Sequence, residues 1–105
     1  MHLIQQNIEK INPLCQKYKV KNMYVFGSIL TSRFKDESDL DLLVKFSNEL
    51  DYLSYADNIL DLFADLKNLF DRNVDLVDVS SIRNHYFKKE VTQTMQLIYP
   101  VMIEA

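Results

Sequence analysis

Residues 39–46, DLDLLVKF, restrict the fold of this chain more than any other stretch. In an extended strand successive side chains point to opposite faces. Leu40, Leu42, Val44 and Phe46 then share one face, and Asp39, Asp41, Leu43 and Lys45 the other. The alternation predicts a strand with one buried face and one that is wet or functional. Such a strand needs a layer of helix or sheet against its apolar side.

The remaining patterns supply those layers. Ile4, Ile8, Ile11, Cys15 and Tyr18 recur at steps of four and three, which is one apolar face of a helix. Pro13 falls inside this pattern, removes a backbone donor, and predicts a kink or break after Asn12. Met23-Tyr24-Val25-Phe26 reads as a strand that stops at Gly27-Ser28, where Ser28 is suited to cap a short helix. The polar stretch 31–38 reads as a loop. From Tyr52 to Phe70 the period is helical, with Tyr52, Ala56, Ile59, Phe63, Leu66 and Phe70 as the stripe turned to the core. Asp71-Arg72-Asn73 ends it, and residues 74–79 (VDLVDV) predict a third strand. A last helix is expected from about Asn84, carrying Phe87, Val91, Met95 and Ile98 inward. The order predicts an α/β (α+β) fold: a small mixed sheet of about three strands packed with about four helices.

A chain of 105 residues suits one domain over residues 1–105, with no repeat or linker to divide it. The formal charge is −3, so the overall basic footprint for long nucleic acid is missing. Cys15 is alone, and His2 and His85 are isolated, which argues against a disulfide or a thiol–imidazole metal site. The N-terminal residues lack the apolar core of a signal peptide. No run approaches the roughly 18 apolar residues of a membrane span. The expectation is a soluble, cytoplasmic protein.

The acids carry the chemistry. Asp39 and Asp41 project from one strand face with backbones about 6.6 Å apart, close enough to share cations. Clustered carboxylates repel one another and raise each other's pKa unless a cation intervenes. Magnesium takes hard oxygen ligands together with water and substrate phosphates. Two-ion sites hold their metals about 3.5–4 Å apart, a gap that such a pair can bridge. Asp75 and Asp78 lie in the third strand at an odd spacing and so face opposite ways; periodicity leaves open which one joins the pair. Gly27 lets a phosphate approach the backbone closely, and Ser28 adds a hydroxyl beside unpaired N–H donors. Taken singly, an Asp-x-Asp strand and a Gly-Ser turn also occur as a solvated face and an ordinary turn. Asp57, Asp61 and Asp65 read as a solvated helix face, and Lys88-Lys89 likewise.

In combination these parts run FGS, ten residues, DLDLLVKF, then VDLV. That string resembles the DNA polymerase β-type nucleotidyltransferase superfamily. Within it the chain looks like the minimal nucleotidyltransferases (MNT), antitoxin partners of HEPN-domain toxins, over almost its whole length. The resemblance implies the polymerase β-type fold. It implies Asp39 and Asp41 as ligands of two magnesium ions, and Asp75, first acid of VDLV, as the third carboxylate. It implies Gly27 and Ser28 as holders of the triphosphate of ATP, with AMP passed to a hydroxyl, a tyrosine of a HEPN toxin. Many relatives carry Arg after the Gly-Ser and Gly a few residues on, where this chain has Ile29 and Ser32; Arg33, Lys35 and Arg83 are the cations that could stand in.

Three functions compete at this point. The first is the transferase just described, a protein adenylyltransferase. The second is an antitoxin, catalytically weak or inactive, that acts by binding the toxin; retained magnesium-dependent ATP binding discriminates against it. The third is a free-standing transferase on a small molecule or RNA end, which the acidic balance disfavours.

Overall fold

The structure, a computed structural model, describes residues 2–100. Helix α1 spans His2–Lys17, strand β1 Val20–Phe26, β2 Leu40–Phe46, helix α2 Tyr52–Phe70, β3 Val74–Asp78, helix α3 His85–Thr94 and β4 Gln96–Tyr99. Two 3-10 turns, Gly27–Leu30 and Val79–Ser81, follow β1 and β3. The strand order is β3-β2-β1-β4. β1 runs antiparallel to β2 and β4, and β2 runs parallel to β3, with α2 as the crossover. This is the mixed α+β architecture expected, with four strands and three α-helices among the described residues where about three strands and about four helices were expected.

Each face of the sheet has its own apolar layer. Leu40, Leu42, Val44 and Phe46 face α1 and α2, joining Ile4, Ile11, Cys15, Leu62 and Leu66 in the larger cluster. On the opposite face Phe26, Leu43 and Val91 form a smaller cluster beneath α3, with Tyr24, Val77 and Met95 against it. Leu43, placed by alternation on the wet face, is therefore fully buried. On that face Leu43 alone is core; Asp41 is half-buried, and Asp39 and Lys45 are exposed.

Four sequence expectations change here. α1 does not break at Pro13. The local cost of the missing donor is outweighed by burial, since Ile4 and Ile11 before the ring and Cys15 after it anchor the helix to the core. The stripe of α2 is rotated: Leu62, Leu66 and Phe70 are buried with Tyr55, Ile59 and Leu69 beside them, whereas Tyr52 is 86% and Phe63 37% exposed, and Ala56 faces solvent. The helix carries apolar residues round much of its circumference, so two stripes fit the period, and packing selects the one with more bulk. The third change is at the end of the described chain. Thr94 ends α3, Met95 turns extended, and Gln96–Tyr99 pairs with the free edge of β1. Ile98 thus enters the larger cluster from a strand, not from the helix. Finally, Ser28 does not cap the turn after β1; Phe26 holds the cap position without a side-chain bond.

Caps fix both ends of α2, the crossover between β2 and β3. Asp51 accepts from Ser54 N at 2.7 Å, and Asp71 adopts the left-handed conformation at φ 50°, its N–H donating to Lys67 O at 3.0 Å. No described helix is long and apolar enough to cross a membrane.

Candidate active site

β1 and β2 bring the glycine and the acids together. Their register pairs Phe26 with Asp41, so Gly27 leaves the sheet beside the Asp41 side chain. Gly27 has φ +76°, a backbone that L side chains rarely adopt. A Cβ there would lie 3.2 Å from Asp41 Cγ and would overlap Oδ2. Glycine is therefore required twice, for the turn and for the carboxylate lying against it. The turn that follows is closed by Thr31, whose N–H and hydroxyl both donate to Ser28 O, at 2.9 and 2.8 Å.

The parallel register of β2 and β3 pairs Asp41 with Asp75. Paired residues of neighbouring strands point to the same face, so Asp75 stands beside Asp41. Asp39, two residues earlier, shares that face from the end of the strand. Asp39 and Asp75 are exposed and Asp41 is half-buried. Burial raises the Asp41 pKa above the usual carboxylate range, and the charges of Asp75 and Asp39 push it the same way.

Asp78 is placed differently. It pairs with Val44, is 6% exposed, and accepts from Tyr55 Oη at 2.5 Å and from Ser80 N and Oγ at 2.8 Å each. It caps the turn after β3 and anchors α2, and the same bond helps push the Tyr55 phenol up to about 12, after burial. Of the two acids in β3, the one beside Asp41 is Asp75.

Arg33 and Lys35 lie exposed in the 31–38 loop, and Arg83 lines a groove with Lys45, Tyr55 and Asp78 at the other end of β2. Ile29, directly after Gly27-Ser28, is 8% exposed and packs in the larger cluster. Arg72, which in the sequence only punctuates the end of α2, donates to Ser38 O at 3.1 Å, one residue before Asp39. Its place immediately before NVDLV was the available signal. Buried Cys15, its thiol pushed up to about 12 by burial, lies in the core and away from the chemistry.

The donor set suits a hard divalent cation: three carboxylates on one face, and an uncompensated repulsion centred on Asp41. As the side chains stand, no three carboxylate, imidazole or thiol groups among the described residues converge closely enough to close round one ion. Asp39 and Asp75 are exposed side chains free to rotate inward, and substrate phosphates and water complete such shells.

Comparison with known proteins shows the family. A family model described as Polymerase beta, Nucleotidyltransferase matches residues 9–101. A Methanocaldococcus jannaschii protein named "Putative protein adenylyltransferase" is 38% identical over 86 residues, 82% of either chain. Among solved structures, a toxin–antitoxin crystal structure with AMP-PNP contains a chain 26% identical, with TM-score 0.65 over 90% of this chain and 74% of that one. The complex of a tri-AMPylated Shewanella oneidensis HEPN toxin with an MNT antitoxin contains another, 25% identical, with TM-score 0.57 over 93% and 73%. With its glycine turn folded onto an acid-bearing strand pair, and these relatives, the chain belongs to the polymerase beta nucleotidyltransferase family.

Proposed function

We propose that this nucleotidyltransferase moves AMP from ATP to a hydroxyl of a protein, a tyrosine of a HEPN-type toxin partner. The observation that carries the reading is Asp41 lodged against Gly27 with Asp75 in register beside it. That arrangement puts the carboxylates at the mouth of the one turn where a phosphate can approach the backbone without meeting a Cβ. Relatives solved with AMP-PNP and with an AMPylated HEPN toxin support the nucleotide and the class of acceptor.

In this reading Gly27 and Ser28 hold the triphosphate, and Asp39 and Asp41 hold two magnesium ions, with Asp75 completing one of the two sets. Magnesium bound there neutralises phosphate charge and lowers the pKa of the acceptor hydroxyl. The acceptor oxygen forms a bond to the α-phosphorus while the bond from that phosphorus to the bridging oxygen breaks, and pyrophosphate leaves. Asp75, exposed on the edge strand, takes the hydroxyl proton. A tyrosine carrying AMP gains a bulky anionic group, which disables a site that depends on that phenol.

Incubation with α-labelled ATP, magnesium and a HEPN-domain partner tests this. The wild type should label the partner, and Asp39→Asn should not. No label from either protein removes the enzymatic reading.

A second reading keeps the partner and discards the chemistry: neutralisation by contact alone. Buried Ile29, in place of a phosphate-facing Arg, favours it. Magnesium-dependent ATP binding by calorimetry, expected for the transferase, separates the two.

A further inference from the structure

Asp39 is the least anchored of the three acids. It lies one residue before the start of β2, exposed, with no strand partner of its own. The groups on either side of it are nevertheless tied, and both ties come from one short segment. Ser38 O, on its N-terminal side, accepts from Arg72 Nη1 at 3.1 Å. Leu40 N, on its C-terminal side, donates to Asn73 O at 2.9 Å. Residues 72 and 73 lead directly into β3 and Asp75.

Arg72 makes more than one contact with the loop. The same Nη1 donates to Lys35 O at 3.2 Å, and the guanidinium lies 4.7 Å from the Phe34 ring centroid. Its Nε is buried and makes no hydrogen bond among the described residues. A planar cation that stacks on a ring while forking to two carbonyls is a rigid clamp, and a lysine ammonium reproduces only part of it. The loop it clamps runs from the Gly27 turn to Asp39, so the clamp joins the strand end bearing Asp39 and Asp41 to the strand bearing Asp75.

We propose that Arg72 is a positioning residue of the acid cluster. By holding the 34–38 loop against the entry to β3, it sets the distance over which Asp39 and Asp75 can close on a divalent cation with Asp41. This rests on the reading of those three acids as the cation-binding set. Arg72 touches no reacting atom; it acts through Ser38 and Asp39.

The test is Mn2+ binding followed by electron paramagnetic resonance, on the whole chain without nucleotide, beside the magnesium dependence of AMP transfer. Arg72→Ala should weaken Mn2+ binding by about tenfold to a hundredfold, the usual cost of losing a group that orients metal ligands. Arg72→Lys should fall between it and the wild type. Transfer by either variant should recover toward the wild-type rate as magnesium is raised, which a purely structural defect does not produce. Phe34→Ala, which removes the stacking surface from the loop side, should shift Mn2+ binding in the same direction and carries the test if Arg72→Ala does not fold. Variants that lose thermal stability but bind Mn2+ and use magnesium as the wild type does overturn the proposal alone. A wild type that binds no Mn2+ overturns the cation-site reading, and this proposal with it.

Discussion

The contact between Gly27 and Asp41 makes a prediction that one thermodynamic cycle can decide. Gly27→Ala forces an L side chain into φ +76°, a left-handed backbone that costs roughly 1–2 kcal/mol. The new Cβ also displaces the Asp41 carboxylate, whose Oδ2 it overlaps. Driving Asp41 off its rotamer adds about 1 kcal/mol. The sum, about 2–3 kcal/mol, corresponds to a fall in Tm of roughly 8–20 °C for a chain this size. In an Asp41→Ala background the second cost disappears, because the remaining Cβ lies 3.5 Å from the added methyl, an ordinary contact. Gly27→Ala should then cost only the backbone contribution, leaving a coupling of about 1 kcal/mol between the two positions. Denaturant unfolding of the four proteins measures it. Equal costs of Gly27→Ala in both backgrounds would refute the claim that the glycine is there to admit the carboxylate.

Other consequences are simpler. Asp41 has its pKa raised on folding, so protonation favours the folded chain; in metal-free buffer stability should fall as pH rises from about 4 through the folded pKa, and stay low above it. Asp41→Asn should thus raise the unfolding free energy at pH 7 by a solvent-screened amount below about 1 kcal/mol, with the accompanying gain in Tm shrinking toward pH 4 in a Tm–pH series. Asp71→Gly relieves a positive φ at the C-cap of α2 and should stabilise the fold by about 0.5–1 kcal/mol in chemical denaturation. Leu43→Ala, fully buried between sheet and α3, should cost about 2–5 kcal/mol by the same method; a cost below 1 kcal/mol would show that α3 does not cover this face.

Much of this fold is readable in the sequence where one short period dominates. The alternation from Asp39 to Phe46 placed two acids on one face, and their neighbours in the core, because a strand has only two faces to choose from. Asp75 and Asp78 were not separable in that way. Their difference lies in register with β2 and in the hydrogen bond from Tyr55, 23 residues distant, which no local pattern contains. Half of the α2 stripe was legible: Ile59, Leu66 and Phe70 do reach the core. Tyr52, Ala56 and Phe63 do not, because the exposed Tyr52, Leu53, Leu60 and Phe63 satisfy a helical period as well as the buried residues do. β4 was hidden for a related reason: Val91, Met95 and Ile98 keep a helical spacing across the break, and what makes Gln96–Tyr99 a strand is the open edge of β1. The role of Gly27 was half legible. Its turn could be read from the chain, but the carboxylate against it appears only when Phe26 pairs with Asp41. Arg72 went unread because its partners, Phe34, Lys35 and Ser38, lie more than thirty residues earlier in the chain.

The central claim is that the acids gathered beside Gly27 transfer AMP onto a partner protein. Intact-mass spectrometry of a HEPN-domain partner, co-expressed with the wild-type chain or with the Asp39→Asn/Asp41→Asn double variant, tests it most directly. The account predicts a partner carrying one or more AMP groups, mapped to tyrosine, with the wild type and an unmodified partner with the variant. An unmodified partner in both, bound equally well to each chain, would contradict it.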